Sequence, residues 1–190
     1  MGKLRHLKDF SIKEFMQYQE MLQYEEPDMV SIFNLFGLDM MSLSYDVFQR
    51  KWMEIVSMTL PRNGVEKHYT INGTRYKVCL NHLKLSAGQF IDFQTYMRDF
   101  KLEEVLSVFL IPQYRKWGRW HTHKYNAGYD ILEVQENLYN HMKIGDAQEL
   151  SNFFLKSSVK LLGLMKGFLE KKMYKQKKRQ LKQQADNLLG

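Results

Sequence analysis

His121 and His123, one residue apart, are the side chains of this sequence that most resemble metal ligands. A strand would present both imidazoles on one side, and His141 and Asp146 follow further along the chain. A zinc site needs three or four ligands in fixed geometry, however, and no other residue has ligand spacing. The surrounding residues are also cationic, which opposes the binding of a dication. We therefore expect no metal ion.

Signatures of catalysis are equally missing from the sequence. It contains no phosphate-binding loop, no glycine-rich dinucleotide fingerprint and no serine nucleophile elbow. The acidic pairs 25–26 and 103–104 are typical of helix N-termini, where negative charge suits the helix dipole. Cys79, the single cysteine, allows no internal disulfide and is expected to pack as a small hydrophobic residue. We predict a non-enzymatic protein without catalytic residues or cofactor.

The segment 112–128, predicted to be a loop, combines basic and aromatic residues. Its candidate interaction residues are Arg115, Lys116, Trp117, Arg119, Trp120, His121 and His123. Such a composition suits a surface that stacks bases and contacts phosphates. It equally suits a protein–protein contact, where Trp, Tyr and Arg concentrate, or aromatic side chains that fold the loop onto its own domain.

A second candidate surface is the basic C-terminal tail. Residues 170–190 hold seven basic and two acidic side chains, so they carry +5 of the net charge of +7. The candidate residues are Lys171, Lys172, Lys175, Lys177, Lys178 and Arg179. Such a tail either binds nucleic acid, lies against an acidic partner, or is simply solvated.

The elements that must position these residues are mostly helical. Apolar spacing predicts helices over 11–24, 28–37, 45–60, 87–100, 102–111, 130–142 and from 146 into the 180s. Ser11 and Glu14 match a capping box. Asn72-Gly73, flanked by β-branched and aromatic residues, predicts a β-hairpin with a type I′ turn. No apolar run approaches the ~20 residues that cross a bilayer, so no membrane contact is expected.

Three blocks of the first half recur in order in the second. Ser11–Gln19 resembles Ser86–Gln94, Val30–Phe33 resembles Leu106–Phe109, and Tyr45-Asp46 resembles Tyr129-Asp130. In both Tyr-Asp pairs we expect the Asp to cap a helix and the Tyr to pack on the preceding turn, with Ser44 as the alternative cap of the helix over 45–60. We predict a mainly α fold of two duplicated three-helix units with one intervening β-hairpin and a long C-terminal helix. The predicted segments are 1–62, 65–145 and 146–190.

The run from the hairpin onward resembles a known class of proteins. It reads YTINGTRY at 69–76, LSAGQFIDFQ at 85–94, LSVFLIP at 106–112 and YNAGYD at 125–130. It is similar to small helical morphogenesis proteins of tailed bacteriophages, especially those that infect gut Bacteroidetes. The hairpin that leads into a helix also resembles tail assembly chaperones. In that pattern a short turn joins the Ile-Pro to the Tyr-Asn, whereas this chain has a longer Arg/Trp/His segment.

This resemblance implies a bacteriophage structural or assembly protein at the head–tail junction or tail. Its partners would be other phage structural proteins and copies of itself, with a ring as one arrangement of the copies. It would be found in the virion or, during assembly, in the host cytoplasm. The alternatives are a tail assembly chaperone absent from the mature particle, and a nucleic-acid-binding module that uses the 112–128 segment and the basic tail.

Overall fold

The chain is mainly helical but also contains a four-stranded antiparallel sheet. The computed structural model describes residues 4–24, 26–60, 64–80, 85–99 and 101–156. The α-helices are α1 (Ile12–Gln23), α2 (Met29–Leu35), α3 (Tyr45–Val56), α4 (Ala87–Asp99), α5 (Leu102–Ser107) and α6 (Ile131–His141). The strands are β1 (His68–Ile71), β2 (Thr74–Val78), β3 (Leu110–Lys116) and β4 (Arg119–Thr122). Two short 3₁₀ helices cover Leu7–Asp9 and Met40–Ser42.

Side-chain caps begin several of these helices. The Ser11 hydroxyl accepts a hydrogen bond from the Glu14 amide, and the Glu14 carboxylate accepts one from the Ser11 amide, which completes the predicted capping box. Asp130 caps α6 by accepting from the Leu132 amide, as predicted. The prediction for Asp46 is wrong: Ser44 is the N-cap of α3, and Asp46 lies inside the first turn.

The sheet has the order β1-β2-β3-β4, with every neighbouring pair antiparallel. Tyr76 pairs with Pro112 and Val78 with Leu110, and all four are buried. Paired residues lie on one face, so this inner face belongs to the core.

The predicted helix over 102–111 and the predicted loop over 112–128 are both wrong in part. The helix ends at Ser107, and two strands occupy much of 110–122.

Aromatic rings fill the core between the first helices. Phe10 and Phe36 are fully buried with ring centroids 4.7 Å apart, and Tyr18 of α1 meets the Phe36 ring at 5.4 Å. Phe33 of α2 stacks on Phe48 of α3 at 5.2 Å. Large buried rings contribute much of the stability of a small domain, and these hold α1, α2 and α3 together.

The N-terminal segment is tied to the end of α6 by backbone hydrogen bonds. The Ile12 amide donates to the Met142 carbonyl (3.0 Å) and the Ile144 amide to the Phe10 carbonyl (2.7 Å). Residues 1–151 accordingly form one compact unit, which contains both predicted helical segments. Residues 144–151 are helical in this unit. Residues 152–190 form a second unit, of which 152–156 are described and helical.

The capping box also carries an ion pair whose contribution depends on pH. Arg5 donates to both Glu14 carboxylate oxygens, at 2.9 and 3.0 Å. These bonds, together with those from Ser11, lower the pKa of Glu14 against the opposing effect of burial. A lowered folded-state pKa stabilises the fold above the unfolded pKa, and the stabilisation is lost as pH falls through the folded value.

We therefore predict that Glu14→Gln, which retains a capping side chain, lowers the free energy of unfolding by about 0.5–1 kcal/mol at neutral pH. The difference from wild type should shrink as pH falls below about 4.3, the ordinary pKa of glutamate. Urea unfolding over this pH range measures it. Glu20→Gln, at an exposed site on the same helix, is the matched control. An equal and pH-independent effect of both substitutions would contradict the assignment.

Candidate functional site

The candidate residues of 112–128 lie on a β-hairpin formed by β3 and β4. Its register pairs Tyr114 with His121 and Arg115 with Trp120. The turn consists of Trp117 (φ 50°) and Gly118 (φ 76°). Two consecutive positive φ angles in a two-residue loop define a type I′ turn, whose twist suits a tight hairpin. This turn places Trp117 at the tip, where the residue is 91% exposed.

The two histidines that resemble metal ligands are engaged by an aromatic row instead. The Tyr114 ring lies 5.5 Å from the His121 ring and 4.5 Å from the His123 ring, centroid to centroid. The far side of the row is closed by Tyr129, whose ring is 5.8 Å from that of His123. No cluster of three His, Cys, Asp or Glu side chains suited to a metal ion occurs in the part of the chain that the structure describes.

A hydrogen bond fixes the base of the hairpin to α4. The Tyr125 hydroxyl donates to the Asp92 carboxylate at 2.8 Å. Burial raises the pKa of Tyr125 strongly, and the bond and charge of Asp92 raise it further, so the phenol keeps its proton and remains a donor. The segment that follows the hairpin is therefore held against α4 by the hydrogen bond from Tyr125.

The opposite, outer face of the sheet carries Arg75, which composition alone does not single out. Its guanidinium carbon lies 5.1 Å from the centroid of the Trp120 ring, a cation–π contact between β2 and β4. At the tip, the Lys116 ammonium lies 5.0 Å from the Trp117 ring. In the sequence, the only sign of Arg75 is the alternation of side chains along β2. Tyr76 and Val78 are buried on the inner face, so Arg75 must lie on the outer face.

The sheet as a whole is free of acidic residues. Neither hairpin, 68–78 or 110–122, contains an Asp or Glu. Its basic residues are Arg75, Lys77, Arg115, Lys116 and Arg119. Within the described residues, none of these five forms an ion pair, whereas Arg5, Lys51, Lys101 and Lys143 each pair with a carboxylate. The sheet is therefore a strongly positive surface.

A second exposed surface, the α3 stripe, was not predicted from the sequence. It consists of Tyr45, Gln49, Met53 and Val56, which repeat at helical spacing along one side of α3. Tyr45 is 70% and Met53 64% exposed, so the prediction that Tyr45 packs on the preceding turn is wrong. The opposite side of the helix supplies the Phe48 ring to the core. The sequence did contain a sign of this exposed surface, because apolar residues occur on both sides of α3.

The basic tail, from Lys171 to Arg179, lies outside the described residues.

No protein family, curated protein or solved structure matches the chain. In the described part of the sequence, no helix has both the length and the hydropathy needed to span a bilayer.

The segment that supports the aromatic row leaves no room for a side chain at Gly128. This glycine has a φ of +83°, and a Cβ there would lie 2.7 Å from Nδ1 of His123. The His123 ring cannot readily retreat, because Tyr114 and Tyr129 contact it. Gly128→Ala should therefore lower the free energy of unfolding by about 2 kcal/mol, from backbone strain and overpacking together.

Urea unfolding of purified protein tests this prediction. Gly64→Ala provides the control, since a Cβ at Gly64 meets nothing within 4 Å. A Gly128→Ala protein as stable as the Gly64→Ala protein would show that the segment is not held as described.

Proposed function

We propose that this protein is a non-enzymatic structural or assembly subunit of a tailed bacteriophage, placed at the head–tail junction or tail. Its resemblance to phage morphogenesis proteins suggests this setting. The observation that carries the proposal is the amount of apolar side chain at the surface of the first sixty residues. The exposed large hydrophobic residues there are Met16, Leu22, Tyr24, Val30, Met41, Tyr45, Met53 and Val56. Three of them, Tyr45, Met53 and Val56, lie along one side of α3, and exposed apolar residues grouped in this way mark sites of protein association.

The α3 stripe is the best-formed part of this surface. Beside it a shallow depression of about 550 Å³ is lined by Gln49, Arg50, Trp52 and Met53. A flexible methionine next to aromatic rings can adapt to a partner surface, as association sites often require. The stripe therefore suits contact with another copy of the chain or with a neighbouring phage protein.

The proposed duplication is consistent with this role, because repeated helical units are typically used to build surface. Ser86 and Gln89 exchange the same pair of hydrogen bonds at the start of α4 as Ser11 and Glu14 do at the start of α1. The repeat has diverged elsewhere: Phe33 lies within α2, whereas its counterpart Phe109 follows the end of α5.

The solution mass of the purified protein tests the proposal. We expect a discrete oligomer by light scattering behind a sizing column, at low and at high salt. Because apolar contacts hold the copies together, Met53→Ser should shift the mass toward the monomer, while an unchanged far-UV circular dichroism spectrum shows that the fold is retained. The matched control is Met41→Ser, at a site that is 79% exposed but outside α3. It should leave the oligomer intact.

Other outcomes would redirect the proposal. A monomer at both salt concentrations that binds an aggregation-prone tail protein would favour the tail assembly chaperone. An oligomer equally weakened by both methionine substitutions would show that the α3 stripe is not the contact.

A further inference from the structure

The outer face of the sheet combines two features that few protein surfaces share. Arg75 and Lys77 of β2 lie on the same face as Arg115 of β3 and Trp120 of β4. This follows because side chains alternate between the two faces of a strand and the register is continuous across the three strands. Trp117 extends this surface at the tip of the second hairpin, whereas Arg119 pairs with Lys116 and lies on the other face. The face therefore presents cations interleaved with two tryptophans.

These cations are not neutralised by the protein itself. No carboxylate lies within ion-pair distance of Arg75, Lys77 or Arg115 among the described residues, and the strands supply none.

Both tryptophans keep part of their ring surface exposed, where a planar ligand could stack. Trp117 is 91% and Trp120 46% exposed, although Arg75 lies over the Trp120 ring. That cation–π contact restrains the indole, so less conformational entropy is lost when a planar ligand stacks on it. An exposed indole flanked by cations is the arrangement that single-strand-binding surfaces use.

We propose that this outer face binds single-stranded nucleic acid, with its phosphates on Arg75, Lys77 and Arg115 and its bases on Trp117 and Trp120. Charge complementarity selects a polyanion, and it opposes a second copy of the same positive face. Bases in a duplex are already stacked on one another, so only unpaired bases can occupy the two indoles. The site does not depend on whether the chain belongs to a phage particle.

Fluorescence anisotropy of a labelled oligothymidylate of about 16 nucleotides, titrated with the full-length protein at about 50 mM salt, tests the proposal. We expect binding that weakens as salt rises. Lys77→Gln/Arg115→Gln should reduce the slope of log K against log salt by about 1.4, because each single-strand phosphate contact contributes about 0.7. Lys13→Gln/Arg98→Gln removes the same charge from exposed helical sites and should change the slope little.

Stacking is tested separately at the fully exposed tip. Trp117→Ala should weaken oligothymidylate binding about tenfold, and Trp117→Phe should restore most of the loss. Circular dichroism of each variant confirms that the fold is retained, as expected for a residue that contacts little of the protein.

Several results would overturn the proposal. Absence of binding at low salt would do so directly. Unchanged affinity in the hairpin variants would assign binding to the basic tail, and equal losses in the Lys13/Arg98 control would indicate a non-specific charge effect. Tighter binding of a duplex of the same length would assign groove recognition instead. Displacement by polyglutamate as effective as by unlabelled oligothymidylate would identify an acidic protein as the partner.

Discussion

The register between β2 and β3 is the constraint on which the rest of the sheet depends. Tyr76 and Val78 must face the core together with Leu110 and Pro112, and side chains alternate along a strand with a period of two. A slip of one residue would bury Arg75 and expose Tyr76. Burial of an unpaired cation costs several kcal/mol, so this single pairing selects which side chains reach solvent. The cationic outer face is thus the necessary complement of the apolar inner face.

Polar side chains of the helices reinforce that register. The buried Gln89 of α4 donates to the Val108 carbonyl at 2.8 Å, immediately before β3 begins. Asn137 of α6 donates to the Tyr76 hydroxyl at 2.7 Å, and burial raises the pKa of this phenol, which therefore stays protonated. Because a buried polar group without its partner is costly, these bonds oppose sliding of either strand. The helices therefore do more than cover the sheet; they fix the position of its strands.

Local signals in the sequence predicted the elements whose causes are local. The Ser11 capping box and the Asp130 cap are set by residues within one turn, and the structure contains both. The end of α5 could not be predicted in this way, since 108–112 is a continuous apolar run without the period of either a helix or a strand. The second hairpin was missed because its turn is Trp-Gly rather than Asn-Gly. Composition alone singled out the candidate residues of β3 and β4, whereas the position of Arg75 beside Trp120 depends on the pairing of distant strands.

Different interactions dominate at the two exposed surfaces, the outer face of the sheet and the α3 stripe, so each surface can act independently. Attraction to a polyanion falls steeply with salt, because the counterions that the protein displaces gain less entropy when the medium is already rich in salt. Contact through the α3 stripe depends on removal of apolar area from water, which salt does not screen. A change in ionic conditions could thus release an anionic ligand from the sheet while protein contacts persist. The hydrogen bonds between Ile12 and Met142 hold the first helices to the helix that supports the sheet, so both surfaces belong to one folded unit.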